Sequence, residues 1–373
     1  METLLLELTD YKRTGELSAE DEEKLSRAAE ILRNGGLAAF PTETVYGLGG
    51  NALDKAASAA IYAAKGRPSD NPLIVHISCM EELPPVVADI PERARKLAEA
   101  FWPGPLTLIM KKADRIPYET TGGLDTVAVR MPEHSAARRL IALAGVPVAA
   151  PSANISGRPS PTTAQHVAED LFGRIGAIVD GGPADIGVES TIVDVSGAEA
   201  VLLRPGAITG EMLEKVTGEA VRLDPALEKP LDPSVHPKAP GMKYRHYAPR
   251  AQMLLAEPAD GSYTPDSLRK IAEYLCREAD KRILEGKRVG ILCSGETLPV
   301  YRKLYDGRQD VVIASLGSHA HEESIAHNLF YMLREMDEQG VDFIAAEGVR
   351  TEQLGYAIMN RMKKAAGQNV VRI

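Results

Sequence analysis

The sequence predicts an α/β protein of two domains: a twisted mixed sheet surrounded by helices, then a smaller parallel α/β domain. Three observations point there. Through the first half, short apolar runs and helical periodicities follow one another without a strict strand–helix–strand repeat, the pattern of a mixed sheet. A proline-rich stretch interrupts this near residues 222–250. Beyond Arg250, apolar strand-like runs alternate regularly with long helical stretches, as parallel sheets require. The 373 residues suffice for domains that each bury a core.

Taken in order, Ser18 and Asp21 read as a helix start, with Leu25, Ala28, Ala29, Ile31 and Leu32 at helical spacing and Gly35-Gly36 as the stop. The apolar run 37–40, ended by Pro41, reads as a buried strand. Further strands are expected at 73–77, 106–111, 126–130, 146–150, 177–180 and 190–195, with helices at 55–65, 91–101, 135–144 and 163–171. This first domain is expected to span 1–212. A linker follows at 213–250, where Pro225, Pro230, Pro233, Pro237, Pro240 and Pro249 favour an extended, semi-rigid connector. The second domain, 251–373, is expected to hold strands at 253–256, 289–293, 311–315, 343–346 and 370–373, and helices near 265–285, 321–339 and 352–366.

Composition narrows the function. With 43 Lys and Arg against 52 Asp and Glu, the net charge of −9 opposes tight binding to nucleic acid or anionic membranes. The sequence holds no apolar run of membrane-spanning length, and its N-terminus is too acidic for a secretory signal. Cys79, Cys276 and Cys293 have no CxxC spacing and are expected as buried thiols in a reducing compartment, hence a cytoplasmic location. Residues 47–52 fit G-x-G-x-x-A, but Pro41 and an intervening loop separate them from the preceding strand. A glycine-rich turn is therefore expected in place of a dinucleotide site. There is no Walker A sequence and no nucleophile elbow. His319, His321 and His327 read as a solvated face, since their order fits no zinc motif.

More informative are the polar residues at the ends of apolar runs. Lys65 and Arg67 stand where a helix ends, in a loop braced by Pro68 and Pro72. A point charge beside a planar fork suits triphosphate oxygens, although cations at a helix C-terminus need no ligand. The run 151–163 (PSANISGRPSPTT) offers hydroxyls, an amide and glycine at a strand's carboxyl end, either an anion-binding concavity or a simple capped turn. Arg130 and Arg204 each end an apolar run, an unusual place for arginine. If these loops converge, Lys65, Arg67, Arg130 and Arg204 form a basic cavity that an anion would stabilise.

These motifs match a known pattern. Residues 41–49 (PTETVYGLG), 65–77 (KGRPSDNPLIVHI), 102–106 (WPGPL), 128–131 (AVRM), 151–154 (PSAN) and 187–192 (GVESTI) resemble the YrdC-like domain. Residues 240–249 (PGMKYRHYAP), followed by a Rossmann-like domain, resemble the two-domain threonylcarbamoyl-AMP synthases. Ala239 departs from that pattern, which leads one to expect serine there.

The resemblance implies that threonine's amine captures bicarbonate and that the carbamate attacks the α-phosphorus of ATP, with pyrophosphate leaving. The product would serve threonylcarbamoyl modification of the adenosine next to the tRNA anticodon, through a downstream transferase complex, with tRNA meeting this chain weakly or indirectly. It further implies ATP contacts from Lys65, Arg67, Asn71, Thr126, Ser152, Asn154, Ser160 and Arg204, with Lys65 and Arg67 as the catalytic pair. His246 and Tyr247 would close over the nucleotide as a lid carried by the linker. Threonine would meet Thr44, His76, Arg130, Ala150 and Ser190. No protein metal site is implied: Mg²⁺ would arrive with ATP, held chiefly by phosphate oxygens, with Glu43 and Glu189 reaching it at most through water. An RNA-binding module and an O-carbamoyltransferase are the competing readings. The acidic charge opposes the first, and the lack of metal-rich partner domains opposes the second.

Overall fold

The computed structural model describes residues 2–227, 236–243 and 246–373. Part of the expected linker, including Pro230, Pro233, Tyr244 and Arg245, lies outside the described residues. The chain divides into two compact units, Met1–Ser156 with Ser160–Tyr244, and Gly157–Pro159 with Arg245–Ile373.

In the first unit the described strands form one eleven-stranded sheet. Its centre runs Gly47–Asn51, Val148–Ala149, Ile74–His76, Thr126–Arg130, Leu106–Lys111, Thr191–Asp194 and Ala200–Arg204. Pairings alternate irregularly between parallel and antiparallel, so the expected mixed sheet is present. Strand Leu4–Glu7, not anticipated from the sequence, adds parallel to Ala177–Asp180 near one edge. At the other edge Val221–Leu223 pairs parallel with Ala200–Arg204. The sheet therefore runs past the expected boundary at 212, which falls inside helix Gly210–Thr217. Residues 213–227 belong to this unit's fold, because their pairing groups outlast the last apolar run that marks the domain in sequence.

Local chemistry explains the helices that position the site. Ser18 and Asp21 form the expected capping box on helix Ala19–Arg33, whose Leu25, Ala28, Ala29 and Leu32 are buried. Asp54 caps helix Lys55–Lys65 by accepting from the Ala56 amide at 2.8 Å. Gly66 ends that helix at φ +60°, so the chain turns sharply between Lys65 and Arg67.

The glycine run proved to be strand, not turn. Gly47–Asn51 pairs antiparallel with Ala38–Phe40. A Cβ on Gly49 would approach Val148 Cγ1 to 2.8 Å and Phe40 Cε1 to 2.9 Å. These glycines let neighbouring strands press large side chains against the backbone, a cause that a motif scan cannot separate from phosphate binding.

Residues 236–243 are also more than a spacer. Ala239 and Met242 are buried in one cluster with Ile74, Ile109, Ala128, Ile192 and Leu203. Lys243 Nζ lies 3.4 Å from Asp70 Oδ2. The small side chain at 239 is completely buried, so its departure from the family pattern sits in packing.

The second unit holds a five-stranded parallel sheet in the order Val311–Gly317, Val289–Ser294, Phe343–Glu347, Gln252–Glu257, Val370–Arg372. Helices Pro265–Leu284, Leu298–Tyr305, Glu322–Glu338 and Gln353–Ala365 connect the strands. Its core joins Ile271, Leu275, Ile291 and Phe343. His319 is buried here, its ring 5.2 Å from that of Tyr263, which corrects its reading as part of a solvated face. Cys276 and Cys293 are buried thiols as expected, whereas Cys79 is half-buried.

Candidate active site

The polar residues of the first unit gather because strands alternate their faces. Residues two apart on a strand point the same way. Ile74 and His76 therefore share a face, as do Thr126, Ala128 and Arg130, and register places His76 opposite Arg130. Ile74 and Ala128 are the positions covered by Ala239 and Met242, so the segment 236–243 lies over the sheet face that carries His76 and Arg130.

Arg130 is buried on this face, 4% exposed. Its Nη1 donates to Thr44 Oγ1 at 2.9 Å and its Nε to the Gly104 carbonyl at 3.3 Å. The WPGPL turn presents that carbonyl: Trp102 Nε1 donates to Leu106 O, and the Gly104 amide donates to Met131 O. Arg130 Nη2 lies 2.7 Å from Glu43 Oε1, an ion pair without hydrogen-bonding angles. His76 is buried beside it and holds its Nδ1 3.1 Å from the Ile74 carbonyl. Burial first, and the Arg130 charge second, push its pKa down to about 3, so the imidazole is neutral at physiological pH.

A second group surrounds residues 151–160. This loop is tied to Tyr46 and the start of strand Gly47–Asn51 through Leu48 N to Pro151 O, Ala153 N to Tyr46 O and the Gly47–Ser152 bridge. The Lys65 ammonium donates to the carbonyls of Ser152 and Asn154. Ser152 Oγ donates to Asn154 Oδ1 at 2.5 Å, and Ser160 Oγ to Glu189 Oε1 at 2.6 Å. Arg67 donates to the carbonyls of Asn71 and Pro72.

The third group stands at the neighbouring strand ends. Arg204 donates from Nη2 to Ser190 Oγ at 3.1 Å and from Nε to Ser190 O at 3.0 Å. Thr107 Oγ1 sits 2.8 Å from the same hydroxyl.

The structure therefore brings Thr44, His76, Arg130, Ala150, Ser152, Asn154, Ser160, Ser190 and Arg204 to connected loops and strand ends of one sheet, with Lys65, Arg67 and Asn71 at the adjoining helix end. Thr126 stands at the opposite end of its strand from Arg130 and is half-buried. His246 and Tyr247 fall in the second unit, where the Tyr247 ring lies 5.2 Å from that of Phe330. The four cations do not wait on an anion alone, because carbonyls and Glu43 already take up their hydrogen bonds and charge. Three participants were not anticipated as direct partners: Glu43 on Arg130, Glu189 on Ser160, and Thr107 on Ser190. Thr107 carried one weak signal, a hydroxyl inside the apolar strand Leu106–Lys111. Among the described residues no cluster of three or more His, Cys, Asp or Glu is arranged to hold a metal. Nor is any described helix long and apolar enough to cross a membrane.

Comparison with known proteins supplies context. Residues 30–206 match the Sua5_yciO_yrdC family, described as "Telomere recombination", and residues 208–367 match the family described as "Threonylcarbamoyl-AMP synthase, C-terminal domain". The chain is 50% identical to the threonylcarbamoyl-AMP synthase of Pyrococcus abyssi, covering 95% of this chain and 97% of that one. It is 48% identical to that of Bacillus subtilis, covering 96% and 97%. A solved structure of P. abyssi Sua5 complexed with L-threonine superposes with a TM-score of 0.86 at 48% identity, over all of both chains.

Proposed function

The chain belongs to the threonylcarbamoyl-AMP synthase family, and from that membership we propose that it joins L-threonine, bicarbonate and ATP into L-threonylcarbamoyladenylate with release of pyrophosphate. The product is the activated group for threonylcarbamoyl modification of tRNA. The observation that carries this reading is the buried Arg130, flanked by the Thr44 hydroxyl and facing Glu43. A guanidinium so placed suits an α-carboxylate, held by two parallel hydrogen bonds. Neutral His76 and the hydroxyls of Thr44 and Ser190 offer uncharged partners for the rest of the amino acid, beside Ala150.

Nucleotide chemistry falls to the adjoining residues. Attack of a carbamate on the α-phosphorus needs positioning and neutralisation of charge more than a covalent intermediate. Lys65 and Arg67 supply positive charge for the triphosphate, and Asn71, Ser152, Asn154, Ser160 and Arg204 supply polar hydrogen-bonding groups for the rest of the nucleotide. Thr126, His246 and Tyr247 complete the assignment to ATP. Thr126 stands at the far end of its strand and His246 and Tyr247 group with the second unit, so variants at these three are the sharpest test of it. Mg²⁺ enters as part of the ATP substrate, held mainly by phosphate oxygens.

Pyrophosphate release measured with each component left out in turn tests the reading. Release should require ATP, Mg²⁺, threonine and bicarbonate together, vanish on chelation with EDTA, and proceed without tRNA. Absolute dependence on tRNA would overturn it.

A further inference from the structure

Glu43 lies in the loop between strands Ala38–Phe40 and Gly47–Asn51 and is 3% exposed. Neither Oε1 nor Oε2 has a hydrogen-bond partner among the described residues, although Oε1 is 2.7 Å from Arg130 Nη2. The nearby hydroxyls are committed elsewhere. Thr44 Oγ1 accepts from Arg130 and lies 2.9 Å from Thr42 Oγ1, which donates to the Val45 carbonyl. The backbone is pinned as well, since the Glu43 carbonyl accepts from the Ile186 amide at 2.8 Å. An ionised carboxylate accepts several hydrogen bonds, and leaving it buried with none is costly. One off-axis cation offsets only part of that cost.

An α-amino acid answers both members of this pair at once, because its carboxylate and ammonium sit on one carbon. Resting on the threonine-dependent reading above, we propose that Glu43 accepts the α-ammonium of threonine and takes its proton, so that the amine can attack bicarbonate while Arg130 holds the carboxylate. An ammonium has no lone pair, so this transfer must precede carbamate formation. A proton passes from the nitrogen to a Glu43 oxygen, and the freed lone pair forms the N–C bond to the bicarbonate carbon. The C–OH bond then breaks, and the departing hydroxide takes a second proton from the nitrogen and leaves as water. Glu43 returns its proton to solvent before the next turnover.

Steady-state pyrophosphate release by full-length Glu43→Gln and wild type, from pH 7 to pH 9, tests this. The glutamine keeps size and hydrogen bonding but takes no proton. Its kcat is expected to be lower by about 10²- to 10⁴-fold at pH 7 and to rise with pH as free amine accumulates, by up to about tenfold per unit below the amine's pKa and levelling off above it. The wild type should stay nearly flat over the same span. ATP binding by the variant without threonine confirms that it folds. A Gln variant with wild-type kcat, or a slow one with a flat profile, overturns the proposal. Should the variant not fold, calorimetry of threonine binding to the wild type at pH 7, in buffers of different ionisation enthalpy, decides. No net proton release is expected, and release of about one proton per threonine overturns it. The two readings fail separately. A wild type that releases no pyrophosphate in response to threonine and bicarbonate defeats the proposed function, whereas an active wild type with an unaffected Gln variant defeats only the role of Glu43.

Discussion

Single residues carry the chemistry and also much of the pH sensitivity. Replacing Arg130 with alanine removes a charged hydrogen bond worth about 1.5–3 kcal/mol. The threonine KM should therefore rise roughly 10- to 150-fold, with nucleotide affinity near that of wild type. An unchanged threonine KM would remove Arg130 from the site. His76 affects stability instead. Its folded pKa of about 3 lies below the ordinary histidine value of 6.5, so between these limits the unfolded chain binds a proton that the folded chain does not. Stability should fall as pH drops from 6.5 towards 3, with His76 contributing up to ~1.4 kcal/mol per pH unit. Urea midpoints for His76→Gln should show a flatter decline over that range, and an equal slope would refute this. The family motif made Arg130 and His76 legible in sequence, whereas the Glu43 partnership was not. Thr44 and Arg130 are 86 residues apart, and only the fold brings that loop to the end of that strand.

Elements succeed or fail by what lies beside them. The helices were readable because caps and apolar spacing are local: Ser18 with Asp21, and Gly66 after Lys65, act within a turn of the residues they serve. Strand Gly47–Asn51 was unreadable because its reason for being glycine-rich is the close packing of Phe40 and Val148. Gly49→Ala should cost about 1–3 kcal/mol of stability by overpacking. Threonine and ATP KM values should change little in that variant, and a loss of nucleotide affinity with stability intact would revive a phosphate-binding role for the run. The Lys65 helix end shows the same dependence on neighbours. Its ammonium is turned towards carbonyls of a loop nearly ninety residues on, so its contacts are set by tertiary structure even though its position is set by the helix.

At the scale of the whole molecule, the first unit contains every residue assigned to threonine and, apart from His246 and Tyr247, every residue assigned to ATP. A chain ended at residue 227 should keep the full first sheet, because Val221–Leu223 remains to pair with Ala200–Arg204. It would lack the segment 236–243 over the His76 and Arg130 face. Such a chain should fold cooperatively and bind ATP but synthesise the adenylate far more slowly, by pyrophosphate release; full activity would show that the linker and second unit serve another purpose. The sequence by itself determined the α/β class, the capped helices and the parallel second sheet, because periodicity and caps are written within a few neighbouring positions, and most candidate site residues were named through the family resemblance alone. Only the tertiary structure decided that the first sheet extends past residue 212, that segment 236–243 packs onto it, and that Glu43 faces Arg130 without a hydrogen bond. Those outcomes depend on strand register and burial between segments far apart in the chain, which no local pattern encodes.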